Sequence, residues 1–138
     1  MRLALLVPPA VAAAVALGGC GSSDDGPRGG AAKLAVTASE FAFDPSTLAA
    51  KPGKLTITMK NAGKDGHELV VLRTATKADG LKVSGGRVSE KDAIGEIGDT
   101  AGGASKSATF DLEAGTYVYV CNIPGHYGKG MRGTLTVR

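Results

Sequence analysis

Eleven residues near the carboxyl end carry three side chains that can share one metal ion. The segment Cys121-Asn122-Ile123-Pro124-Gly125-His126-Tyr127-Gly128-Lys129-Gly130-Met131 offers a thiol, an imidazole and a thioether at regular intervals. Two imidazoles and a thiolate in a trigonal set, with a weak and distant Met sulfur, are the ligands of an electron-transfer copper site. Zinc fits less well, because structural zinc takes four strong ligands, usually Cys and His, and a thioether is a poor fourth. The second imidazole must come from elsewhere, and the only other histidine of the chain is His67. Each residue alone has a bland reading: a single Cys as a small hydrophobe, a His or Met as packing. Their joint spacing on one loop, with one remaining His to complete the set, outweighs those readings. Met59 belongs to an alternating strand pattern and Met1 to an export signal, so neither competes with Met131.

A loop that gathers three donors around one point must be short, tightly turned and held at both ends. Gly125, Gly128 and Gly130 permit the turns and Pro124 stiffens the path. A preformed loop limits the rearrangement that accompanies each change of oxidation state, which favours rapid electron transfer. The flanking pattern supplies the holders: a strand ending at Cys121 and another starting near Gly133. Period-two alternation recurs at Leu34 and Val36, at Leu55, Ile57 and Met59, and at Ala108, Phe110 and Leu112. Leu69 to Leu72 is a continuous apolar run, as expected of a strand buried on both faces. Tyr117-Val118-Tyr119-Val120 and Leu135-Thr136-Val137 complete the series, and Tyr117 and Tyr119 read as strand residues rather than redox relays. Turn residues separate the runs at Asp44-Pro45, Lys51-Pro52-Gly53, Gly63 to Gly66 and Glu113-Ala114-Gly115. Six or seven short strands so spaced predict an all-β antiparallel sandwich. Thr74 to Ser105, rich in Gly, Lys and Asp, reads as a long connection between sheets, with Ser89-Glu90-Lys91-Asp92 as the start of a short helix.

The Cys-x4-His-x4-Met ending resembles the cupredoxins, the type 1 or blue copper proteins, and its spacing is most similar to rusticyanin and sulfocyanin. Phe41-Ala42-Phe43-Asp44-Pro45-Ser46-Thr47-Leu48, Asn61-Ala62-Gly63 and His67-Glu68-Leu69 also resemble that family's early strands. The resemblance runs from about Leu34 to Arg138, weakest over Thr74 to Ser105. It implies a Greek-key β-sandwich with one copper ion, held by His67, Cys121 and His126 in the equatorial plane and by Met131 on the axis. The Gly66 carbonyl would be a remote contact. Many members of the family place Asn directly after the first His ligand, whereas this chain has Glu68, so a hydrogen bond that tunes the metal is expected to differ.

The amino end reads as an address. Arg2 and the apolar run from Leu3 to Leu17 form an export signal too short and too rich in Ala and Pro for a membrane span. Leu17-Gly18-Gly19-Cys20 resembles a bacterial lipobox, which implies lipidation of Cys20 and a membrane anchor. The expected organisation is a signal peptide over 1–19, the lipidated Cys20 and a flexible Gly/Ser/Asp tether over 20–32, and one domain over 33–138. This places the protein outside the cell membrane, anchored by lipid and facing the periplasm or the exterior. Without Arg2 the charged residues number 15 basic and 13 acidic and are scattered, which argues against a nucleic-acid partner. With both histidines committed, the additional copper centres of an oxidase or nitrite reductase have no ligands. A monomeric single-electron carrier is therefore expected, with redox proteins as partners, a membrane respiratory complex among them. The alternative is a copper chaperone or store. Ile123, Pro124, Gly125 and Tyr127, around the outer edge of His126, are the expected electron-transfer patch.

Overall fold

A computed structural model describes residues 31–138. The expected signal peptide and Cys20 lie outside the described residues, as does the tether up to residue 30.

Eleven strands form among the described residues. In chain order they are β1 (Ala32–Ser39), β2 (Ala42–Asp44), β3 (Thr47–Ala50), β4 (Gly53–Asn61), β5 (His67–Arg73), β6 (Val83–Ser84), β7 (Arg87–Val88), β8 (Ala93–Thr100), β9 (Ser105–Leu112), β10 (Gly115–Val120) and β11 (Arg132–Val137). One sheet has the order β2-β1-β4-β9, the other β3-β11-β10-β5-β8, and β6 and β7 make a separate hairpin. Alternation sets the facing of the sandwich. Leu55, Ile57 and Met59 of β4 are buried, and between them Thr56 and Thr58 pair with the hydroxyls of Thr109 and Ser107 on the outer face. The core between the sheets gathers Val36, Phe43, Leu48, Leu69, Val71, Phe110, Tyr117, Tyr119 and Leu135, and it extends to Cys121 and Met131.

Two pairings depart from the antiparallel expectation: β1 with β4, and β3 with β11, run parallel. After β2 the chain leaves the first sheet at Asp44-Pro45-Ser46, joins the second as β3, and returns as β4. β4 therefore returns on the far side of β1 from β2 and runs in the direction of β1. Tyr119 fixes the crossing, its hydroxyl donating to the Pro45 carbonyl at 2.7 Å.

The connection from Thr74 to Ser105 is where the expectation needs correcting. It holds no helix. Residues 83–88 form the β6–β7 hairpin, Ser89 to Asp92 make a turn in which the Ala93 N–H donates to the Glu90 carbonyl at 2.9 Å, and Ala93–Thr100 runs antiparallel to β5. This segment also explains the continuous apolar runs. Val70, Leu72, Val118 and Val120 point away from the main core into a second cluster closed by Val88 and Tyr127, with Ala78 and Leu81 packed on it. β5 and β10 are thus covered on one face by the other sheet and on the second face by the connection.

Candidate metal centre

His67 and Cys121 come from the same ends of neighbouring strands. β5 and β10 pair antiparallel through Val70↔Val120, so the first residue of β5 and the residue following β10 meet at one edge of the sandwich. The turn before His67 is wound around Asn61, which is fully buried. Its amide donates to the carbonyls of Asp65 at 2.7 Å and Thr100 at 2.8 Å, while its Oδ1 accepts from the Gly63 N–H at 2.9 Å.

Backbone bonds fold the ligand loop on itself. The His126 N–H donates to the Ile123 carbonyl, the Met131 N–H to the His126 carbonyl at 3.2 Å, and the Cys121 N–H to the Met131 carbonyl at 3.1 Å. A 3-10 turn over Tyr127–Lys129 ends at Gly130, whose φ of 112° suits glycine. Cys121, His126 and Met131 are therefore tied to one another before any ion is considered.

The donor atoms converge. His67 Nδ1 lies 3.3 Å from His126 Nδ1, Cys121 Sγ lies 3.3 Å from the same His126 nitrogen, and all three atoms fall within 4.8 Å of one another. Nitrogen donors on one trigonal ion, at bond lengths of about 2 Å, stand roughly 3.5 Å apart, so the spacing fits a single small cation. The donor chemistry selects it. Thiolate, two imidazoles and the wholly buried Met131 beside them make a type 1 copper site.

Burial disfavours charge on both kinds of donor. Burial pushes the Cys121 thiol up, partly opposed by hydrogen bonds from the Glu68 and Ile123 backbone. The Glu68 N–H donates to Cys121 Sγ at 3.5 Å. Burial likewise holds His126 below the ordinary imidazole range, with His67 and Lys129 acting in the same direction. A bound cation reverses the balance for the thiolate, and a neutral imidazole is the form that ligates.

Two neighbours of the site are not apparent from ligand spacing. Phe41 stands edge-on to both imidazoles, with ring centroids 4.9 Å from His126 and 6.4 Å from His67, and carries the Lys129 ammonium over its face at 4.1 Å. Glu40, beside it, places Oε1 3.3 Å from His67 Nε2. Phe41 stands in a motif already singled out for its family likeness, but Glu40 is an exposed turn residue with no periodic signal. Glu68 is half-buried, and burial raises its carboxyl above the ordinary range, aided by Glu96.

The expected surface patch divides. Pro124 is exposed and Ile123, Gly125 and His126 are half-buried, but Tyr127 is buried. Its hydroxyl donates to the Ala78 carbonyl at 2.6 Å and accepts from the Leu81 N–H at 3.1 Å, so it fastens the connection to the ligand loop instead of facing a partner.

The model for copper-binding proteins of the plastocyanin/azurin family matches residues 31–138. Auracyanin-B of Chloroflexus aurantiacus is 61% identical over 36 residues, which are 25% of this chain and span only 15% of that protein's length. Plastocyanin of Scenedesmus fuscus is 34% identical over 110 residues, covering 77% of this chain and 96% of that one. Among solved structures, reduced auracyanin from Roseiflexus castenholzii superposes with a TM-score of 0.65 at 25% identity, over 80% of this chain and 99% of the other.

Proposed function

Since this chain belongs to the plastocyanin/azurin family of copper-binding proteins, we propose that it is an exported single-electron carrier, anchored by lipid at Cys20 to the outer side of a membrane. The observation that carries this reading is the convergence of His67 Nδ1, His126 Nδ1 and Cys121 Sγ at one buried point, beside Met131. Copper bound there supplies a one-electron couple. The chain holds the equatorial donors on a hydrogen-bonded loop and a strand end, so little has to move when charge changes. Met131 would supply the weak thioether donor, and the Gly66 carbonyl would be a further remote contact. Both histidines of the chain are used in this one site, which leaves no imidazole for a further copper centre.

Electrons enter and leave through the outer edge of His126, across a surface of Pro124, Ile123 and Gly125. Weak redox encounters bury little area and must separate quickly, and a small uncharged surface suits that. The partners are redox proteins, a membrane respiratory complex among them.

Loading the domain with Cu(II) tests the reading. An intense blue absorption from sulfur-to-copper charge transfer, and repeated one-electron cycling without loss of metal, are the expected results. A colourless protein with a tetragonal Cu(II) resonance spectrum overturns the site. Loss of copper on each reduction overturns the carrier role in favour of metal delivery or storage.

A further inference from the structure

The Nε2 atom of His67 is fully buried and makes no aligned hydrogen bond among the described residues. An unpartnered polar atom at such a position costs about 1–3 kcal/mol and calls for an explanation. The ligand geometry supplies half of it. A neutral imidazole carries one proton, and His67 directs Nδ1 toward His126 and Cys121; a cation held at Nδ1 leaves the proton on Nε2. That N–H then needs an acceptor, and Glu40 Oε1 lies 3.3 Å away.

Three features place the carboxylate there. Its Oε1 accepts from the Lys64 and Asp65 N–H groups, both at 2.7 Å, so it is locked onto the turn that leads into His67. Those bonds, that from Asp65 first, hold Glu40 below the ordinary carboxylate range. A Cβ at Gly63 would clash with Oε1, so this approach requires glycine at 63. The carboxylate side chain itself is only 31% exposed.

We propose that Glu40 is a positioning residue for the metal centre: its carboxylate accepts the Nε2–H of His67, fixes the ring as the tautomer that ligates through Nδ1, and places a negative charge that favours Cu(II) over Cu(I). The assignment rests on the copper reading above. Carboxylates behind ligating histidines orient the ring and raise its basicity, and their loss typically weakens metal binding about 10–100-fold.

The test compares the copper-loaded wild type with Glu40→Gln and Gly63→Ala. Glu40→Gln keeps a carbonyl oxygen for the Lys64 and Asp65 amides but removes the charge; Gly63→Ala keeps the charge but displaces it. Both variants should remain blue. Both should raise the reduction potential, by about tenfold in the Cu(I)/Cu(II) preference, or roughly 60 mV for one electron. In the diamagnetic Cu(I) form, the His67 Nε2–H proton should resonate downfield and resist solvent exchange in the wild type, and should move upfield in both variants. Unchanged potential and an unchanged Nε2–H signal in blue variants overturn the role of Glu40 alone; a wild type without blue colour overturns the copper reading first. The wild-type signal is decisive if either variant fails to fold, because a rapidly exchanging Nε2–H, without the downfield shift, excludes the bond.

Discussion

The side chain of Asn122 closes a two-point bridge to the backbone of Val88. Oδ1 accepts from the Val88 N–H at 2.8 Å and Nδ2 donates to the Val88 carbonyl at 3.0 Å, as an adjoining strand would. Nδ2 also donates to Glu90 Oε1 at 2.6 Å, and the amide is buried. Asn122 directly follows Cys121, so the bridge joins the β6–β7 hairpin to the metal site. The Gly125 N–H, which donates to the Gly86 carbonyl at 2.9 Å, is a second tie, and the Tyr127 hydroxyl holds the segment just before the hairpin through Ala78 and Leu81.

Asn122→Ala should therefore destabilise the domain by about 3 kcal/mol, since it strands a buried N–H and C=O and removes their partners. Urea unfolding of the metal-free protein measures this. A loss well under 1 kcal/mol would show that the hairpin is held mainly by the apolar contacts of Val88 and Tyr127.

The ligands were legible in the sequence for a physical reason: copper needs particular atoms, so Cys121, His126, Met131 and His67 had to appear as residue types at workable spacings. The strands were legible wherever one face met the core, as in Leu55, Ile57 and Met59. The connection was harder, because its cover is built from scattered contacts: Val88, Tyr127 and the amide of Asn122 hold it, and no repeat announces them. The β8 strand was missed for a related reason. Ala93 to Thr100 lies at the sheet edge with only Ile97 and Thr100 buried, and a half-exposed edge strand containing two glycines carries little alternation. Glu40 was invisible because its role depends on Gly63, remote in sequence, leaving space for a carboxylate.

Replacing the thiol removes the donor on which the colour depends. Cys121→Ser should abolish the blue absorption yet leave the sandwich folded, since the apolar contacts lie chiefly in the strands. Far-ultraviolet circular dichroism should be preserved while the visible band is lost. A blue Cys121→Ser protein would contradict the assignment.

Met131→Leu roughly conserves core volume and should cost under about 1.5 kcal/mol. Removing the sulfur donor destabilises Cu(II) more than Cu(I), so the colour should persist and the potential rise. An unaltered potential by voltammetry would assign Met131 to packing alone.

The metal-free domain should lose stability as the solution is acidified. The unfolded chain takes up a proton near the ordinary imidazole value of 6.5, while burial keeps the folded His126 neutral to lower pH. Above that value both states are neutral and His126 makes no difference; below it the unfolded state binds the extra proton, so stability falls until the folded pKa is passed. The slope attributable to this residue is at most about 1.4 kcal/mol per pH unit. Comparing urea midpoints of wild type and His126→Gln through this range isolates it from the carboxylates, and a pH dependence equal in both proteins would contradict the burial argument.

The route of the electron is tested at Pro124, which is exposed beside the half-buried His126. Pro124 also approaches Gly86, where a Cβ would stand 3.4 Å from its side chain, so the patch runs from the ligand loop onto the hairpin tip. A lysine at 124 adds a charge to that surface without touching a donor atom. Two molecules meeting patch to patch must then bring like charges together and desolvate them, so Pro124→Lys should slow electron self-exchange by roughly tenfold or more, while the visible spectrum and potential stay near wild type. Raising the salt concentration should recover part of the rate, because screening weakens repulsion between exposed charges but does not remove the desolvation cost. Line broadening in mixtures of the oxidised and reduced protein measures the exchange. A rate unaffected by Pro124→Lys at low and moderate ionic strength would mean that the outer edge of His126 is not the point of contact.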